Sequence, residues 1–178
     1  MGTSYFGILI NNAGNNNYKT PESVGNVIRY ITRTNGDPSS DLIAWGGLGI
    51  LKYTGVDSVV GQFELVQQLH GRNSKQGRFI DHEYFSFTEE GAELLAKGNV
   101  DLDDLARELA YDFYAADQCQ VVYGVHAPDS SDKQLHFHFA VNTFDLAGHK
   151  RRENISQTKD RETRFNNIIA AKVKEGLR

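Results

Sequence analysis

The stretch Gln134-Leu-His-Phe-His-Phe-Ala-Val-Asn142 constrains the fold more than any other part of the chain. Side chains alternate across a strand, so His136 and His138 share one face with Ala140 and Asn142 while Phe137, Phe139 and Val141 share the other. The aromatic face belongs in a core. Upstream, Cys119 to His126 is β-branched and aromatic, and Pro128 to Lys133 is a polar turn, so the two runs form an antiparallel hairpin. With the turn centred on Ser131, His126 falls opposite His136, where paired Cβ atoms stand roughly 4.5–5.5 Å apart.

A hairpin with one aromatic face needs more strands and covering helices. Residues 5–11 form a β-prone run ending in an Asn- and Gly-rich loop, Asn11 to Asn17. Thr20 as cap, Pro21 at the first helical position and Glu22 in the first turn start a helix carrying Val24, Ile28 and Ile31, which Asn35-Gly-Asp-Pro38 ends. Glycines at 46, 47 and 49 leave residues 42–53 open between a bent strand and a flexible hairpin. Residues 57–70 read as a helix burying Val60, Phe63 and Val66 or Leu65, and 79–87 as an aromatic strand. Leu102, Leu105, Ala106, Leu109, Ala110 and Phe113 form a helical stripe, and a last helix runs from about Thr163 to Leu177. With no repeat or linker, residues 1–178 make one α+β domain on a central antiparallel sheet flanked by helices.

Three imidazoles meeting from two adjacent strands offer three nitrogen ligands to a divalent cation and leave positions for water or substrate. Structural zinc sites close with four protein ligands and commonly use Cys, which this cluster lacks, so a catalytic or substrate-binding ion is expected. Imidazole suits Mn, Co, Ni or Zn better than Mg, although cellular abundance favours Mn or Mg in use. Asp81 and Glu83 alternate onto one face of their strand, where either would orient a ligating ring, with His82 facing away.

The sole cysteine, Cys119, lies in an apolar run and reads as a core residue of a reduced, cytoplasmic protein. No apolar run approaches the roughly 18 residues a membrane-spanning helix needs. The net charge of −4 conceals an asymmetry: residues 149–178 hold nine Lys and Arg against four Asp and Glu. Such a tail follows phosphates or simply solvates a helix face.

The pattern His126…His136-Phe-His138-Phe-Ala-Val-Asn142 resembles the third motif of HUH endonucleases of the conjugative relaxase type. Asn26-Val-Ile-Arg-Tyr-Ile-Thr-Arg33 is similar to the relaxase first motif, which carries the nicking tyrosine, and Arg78 to Phe87 to the second, with its His and Ser-Phe. The resemblance spans about residues 5–155 and is closest to the MobP group. It implies an HUH relaxase-like sheet, Tyr30 as nucleophile, His126, His136 and His138 as metal ligands, Asn142 as an auxiliary residue and Ser86 at the DNA backbone. It also implies a bacterial protein acting on single-stranded or hairpin DNA at a plasmid or integrative-element transfer origin, with accessory relaxosome proteins and a type IV secretion coupling protein. Relaxases commonly carry further domains, so residues 1–178 read as a small mobilisation protein or the N-terminal part of a longer one. The family often has an acid two residues after the upstream histidine. Pro128 stands there, with Asp129 and Asp132 as the nearest replacements.

An unaided phenol, with a pKa of about 10, is a poor nucleophile. A cation on the non-bridging oxygens of a phosphate withdraws charge and orients the phosphorus, and attack by Tyr30 then leaves a 5′-phosphotyrosine and a free 3′-hydroxyl. Tyr18 and Tyr5 are the fallback nucleophiles. Arg29 and Arg33 bracket Tyr30, Arg72, Lys75 and Arg78 line one loop, Lys150-Arg151-Arg152 follows the hairpin, and Trp45 and Tyr53 would stack on bases. A rolling-circle replication initiator shares this chemistry, but the tyrosine preceding the histidines follows relaxase order. A cupin-like metalloenzyme acting on small molecules would be nearly all β.

Overall fold

The computed structural model describes residues 5–11, 18–36, 41–130 and 132–178. Its centre is a five-stranded antiparallel sheet, ordered β1-β3-β5-β4-β2: β1 Gly7–Asn11, β2 Leu42–Leu48, β3 Ile80–Phe87, β4 Cys119–His126 and β5 His136–Asp145. The expected hairpin is present as β4 and β5, and His126 pairs with His136. Ser131, around which its turn was expected, and most of the Asn11–Asn17 loop lie outside the described residues, as do Asp37 and Pro38.

Among the described residues five α-helices flank the sheet: α1 Glu22–Ile31, α2 Val56–Leu69, α3 Glu89–Lys97, α4 Leu102–Asp117 and α5 Ile155–Gly176. Phe137, Phe139 and Val141 bury against Leu105, Leu109 and Phe113 of α4 and Phe165 and Ile169 of α5. On the opposite face, Val122 and Ala140 pack with Val24, Ile28 and Ile31 of α1 and Val59, Val60 and Phe63 of α2. Removing this apolar surface from water, at about 25 cal/mol per Å², is what fastens both helical layers to the sheet.

Several local expectations shift. Pro21, rather than Thr20, stands at the cap of α1, with no side-chain cap bond. Residues 42–48 form an edge strand, whose register slips between Leu42 and Ala44. In α2 Leu65 is exposed and Val66 half-buried, and Gln67 is buried along with Val60 and Phe63. Helix α3, capped by Thr88 on the Gly91 amide, was not expected. The last helix begins at Ile155, eight residues before the expected start, because an Asn154–Gln157 capping box nucleates it. Apart from the exposed Ile155 its first two turns are polar, so no apolar stripe marks them.

Gly124, opposite His138 on β4, sets how closely α1 approaches. A Cβ there would stand 2.2 Å from the Ile31 carbonyl oxygen. Only a glycine lets the C-terminal end of α1, and Tyr30 with it, reach the histidine strand.

Candidate metal centre

Strand pairing brings His126, His136 and His138 together, all buried, with one ring nitrogen of each within 4.8 Å of the others. Hydrogen bonding determines which nitrogens carry lone pairs. His136 Nδ1 lies 2.8 Å from the Gln134 carbonyl oxygen, which only accepts, so its proton sits on Nδ1 and leaves Nε2 as the ligand atom. His126 is reversed: Nε2 donates to the Ile31 carbonyl at 2.8 Å, and Nδ1 accepts from Arg33 Nη2 at 3.1 Å.

His138 Nε2 is buried and has no hydrogen-bond partner among the described residues. An orphaned ring nitrogen facing two more imidazoles suits a cation, and the all-nitrogen donor set suits a borderline transition ion. Binding there requires an unprotonated Nε2. The ring proton then sits on Nδ1, donating to His82 Nε2 at 2.9 Å, and His82 donates from Nδ1 to Tyr18 Oη at 3.0 Å. Burial favours the neutral form of His82, His126 and His138. His82 is lowered to about 4 by burial and then by His126, His138 well below the ordinary histidine value by burial and then by His82, and His126 in the same direction chiefly by burial.

Tyr30 stands over the cluster. Its ring centroid is 5.5 Å from that of His138, 6.1 Å from His82 and 6.3 Å from His126. The Arg33 guanidinium lies 4.8 Å from the Tyr30 ring centroid. A cleft of about 220 Å³ is lined by Tyr30, Arg33, His82, Tyr84, Asp129, Asp132, His136 and His138. Tyr30 and His82 also line an adjoining cavity of about 380 Å³ with Tyr18, Ser23, Asn26 and Val27. Tyr18 is therefore at the site, whereas Tyr5 is exposed and feels Glu162.

The orienting residues differ from those expected. Register pairs His82 with Ala140 and Tyr84 with His138, which puts His82 on the histidine face and Asp81 and Glu83 behind the sheet. There both carboxylates bind Arg151, as do Asp117 and Glu153, at 2.7 to 3.2 Å. The alternation was right, but its assignment to a face was inverted. Asn142 is also corrected: its amide bonds Gln67, Gln120 and the Phe63 carbonyl, tying α2 to the sheet away from the metal ligands. Asp41 was missed. It chelates Arg33 through Nε at 2.8 Å and Nη2 at 2.6 Å and lies 3.7 Å from His126 Nδ1. Asp132 reaches within 3.5 Å of His136 Nδ1, and Asp129 lines the cleft.

Of the cations assigned to DNA, Arg151 is buried among its four carboxylates, which removes it from any solvent-facing role. Arg33 is largely buried by Asp41, and Arg29 pairs with Asp57 at 3.0 Å. Arg78 pairs with Asp81 and gathers with Lys150 and Arg152 around a cavity of about 260 Å³ at the Ile80–Asn142 end of the β3–β5 ladder, opposite the His136 end. Ser86 pairs with His136 in register and donates to Gln134 Oε1 at 2.7 Å. Trp45 packs against the α1–α2 core, whereas Tyr53 is exposed. Cys119 is buried, and burial pushes its thiol up to about 12.

No protein-family model matches this chain, and no match is found among curated proteins. No helix among the described residues is long and apolar enough to cross a membrane. Fold and site together define an α+β domain whose central hairpin presents three histidines that could hold a metal ion.

Proposed function

We propose that the protein is a site- and strand-specific DNA transesterase of the relaxase type, nicking single-stranded DNA at a transfer origin. The observation that carries this reading is the placement of Tyr30 above three converging imidazoles, on the shared wall of two cavities. A divalent ion bound by His126, His136 and His138 supplies Lewis-acid polarisation of a phosphate oxygen.

The chain's own residues do the rest. Helix α1, docked through Gly124, presents the Tyr30 hydroxyl to the cleft, and its Oη forms a bond to phosphorus as the bond to the 3′ oxygen of the upstream nucleotide breaks. The phenol proton is lost and the departing oxygen gains one, leaving a 5′-phosphotyrosine and a free 3′-hydroxyl. One phosphodiester replaces another, so the reverse reaction reseals the strand. His82 and the Gln134 carbonyl keep the His138 and His136 lone pairs directed at the ion. Mn²⁺ or Mg²⁺ is the ion proposed in use, with Zn²⁺, Co²⁺ and Ni²⁺ compatible with the donors.

The helices on both faces of the sheet count against the cupin-like alternative, which would be nearly all β. Incubation with labelled single-stranded DNA of the encoding element's transfer origin tests the proposal, with Mn²⁺ or chelator, on denaturing gels. A metal-dependent covalent adduct, absent in Tyr30→Phe and His136→Ala, is expected. Metal binding without any adduct on that DNA would overturn the reading.

A further inference from the structure

Among the described residues, His126 is the candidate ligand whose lone pair already has a protein donor. Its Nε2 proton is fixed on the Ile31 carbonyl, so Nδ1 is the only nitrogen it can offer, and Arg33 Nη2 stands 3.1 Å from that atom. A cation can bind this nitrogen only by displacing the guanidinium N–H. The guanidinium cannot withdraw far, because the buried Asp41 grips Nε and Nη2. Arg33 also lines the cleft beside His136 and His138.

We propose that Arg33 is an exchange residue: it donates to His126 Nδ1 until a divalent ion takes that nitrogen, and then donates the same N–H to a phosphodiester oxygen in the cleft. The inference rests on the metal-dependent DNA reading and adds a positioning role to it. A guanidinium and a divalent ion repel each other across so short a gap, and a phosphate oxyanion between them offsets that repulsion. Metal and DNA therefore help each other to bind, and linkage requires the coupling to be reciprocal. Because Arg33 lies over the Tyr30 ring, the exchange is also felt at the nucleophile.

The test is Mn²⁺ affinity, measured by calorimetry on the chelator-treated full chain, with and without a short oligothymidylate. Wild type is compared with Arg33→Gln/Asp41→Asn, which removes the ion pair as a unit, and with Arg33→Lys, which keeps the charge but loses the planar fork; thermal melts check folding. Without DNA, both variants are expected to bind Mn²⁺ about tenfold tighter or more, the scale of a lost hydrogen bond to a charged group. Oligothymidylate is expected to tighten Mn²⁺ binding to wild type severalfold and to leave the double variant unchanged. Equal or weaker Mn²⁺ affinity in both folded variants would overturn the exchange while leaving the Tyr30 adduct as a separate test of function. No Mn²⁺ binding to wild type would overturn the metal centre and the exchange together.

Discussion

His82 Nε2 lies 2.9 Å from His138 Nδ1, so the ring that orients a candidate metal ligand is itself an imidazole rather than a carboxylate. It reaches further to Tyr18, linking strand β3 to the cavity beside Tyr30. His82→Phe keeps the aromatic bulk and deletes the bond. Loss of such an orienting partner typically lowers metal affinity 10- to 100-fold, so calorimetric titration with Mn²⁺ should show a drop of about that size. Unchanged affinity would leave His82 as packing alone.

The same burial makes the fold acid-sensitive. His82, His126 and His138 all have folded-state values below the ordinary histidine value of about 6.5, so below that pH the unfolded chain takes up protons that the folded chain refuses. Their contribution is fully present above about pH 6.5 and is lost as the pH falls toward 4, with His82 alone contributing on the order of 3 kcal/mol. Urea midpoints of chelator-treated protein should fall steadily over that window. A midpoint that holds constant or rises would contradict the neutral, buried cluster.

Arg151 is expected to be a stability residue, unlike its neighbours. Its guanidinium bonds Asp81, Glu83, Asp117 and Glu153, and burial already raises the Glu83 carboxyl above its usual range. Arg151→Met takes the guanidinium from the buried Glu83, while Asp81 keeps Arg78 and Asp117 and Glu153 keep Arg161, and should cost about 3–5 kcal/mol in chemical denaturation. Lys150→Met and Arg152→Met, at exposed positions, should change stability by less than about 0.5 kcal/mol and instead weaken DNA binding with a shallower salt dependence.

Gly124→Ala tests how α1 is seated. The added methyl meets the Ile31 carbonyl, so the helix must retreat, at a stability cost of about 1–3 kcal/mol. Because Tyr30 travels with the helix, adduct formation should fall by more than the loss of folded protein accounts for, measured on the fraction that remains folded.

Much of this site was legible because strand geometry has a period of two. Alternation in 134–142 and the length of the turn were enough to put His126 across from His136, as the register shows. The same rule failed on β3, where periodicity separates Asp81 and Glu83 from His82 without saying which set faces the histidines; pairing of Tyr84 with His138 decides that. Asp41 was invisible because its role depends on β2 lying beside β4, a long-range contact with no local signal. Helix α3 and the first turns of α5 escaped for a different reason: their N-caps, Thr88 and Asn154, mark them better than their apolar spacing does. Arg151 misled because charge in a sequence does not reveal whether a guanidinium faces water or a buried set of carboxylates.

The most direct test of the metal centre is anomalous diffraction from crystals soaked in Mn²⁺. One strong peak is expected, bonded to one nitrogen each of His126, His136 and His138, at the foot of the cleft walled by Tyr30. A peak bound elsewhere, or none at saturating Mn²⁺, would contradict it.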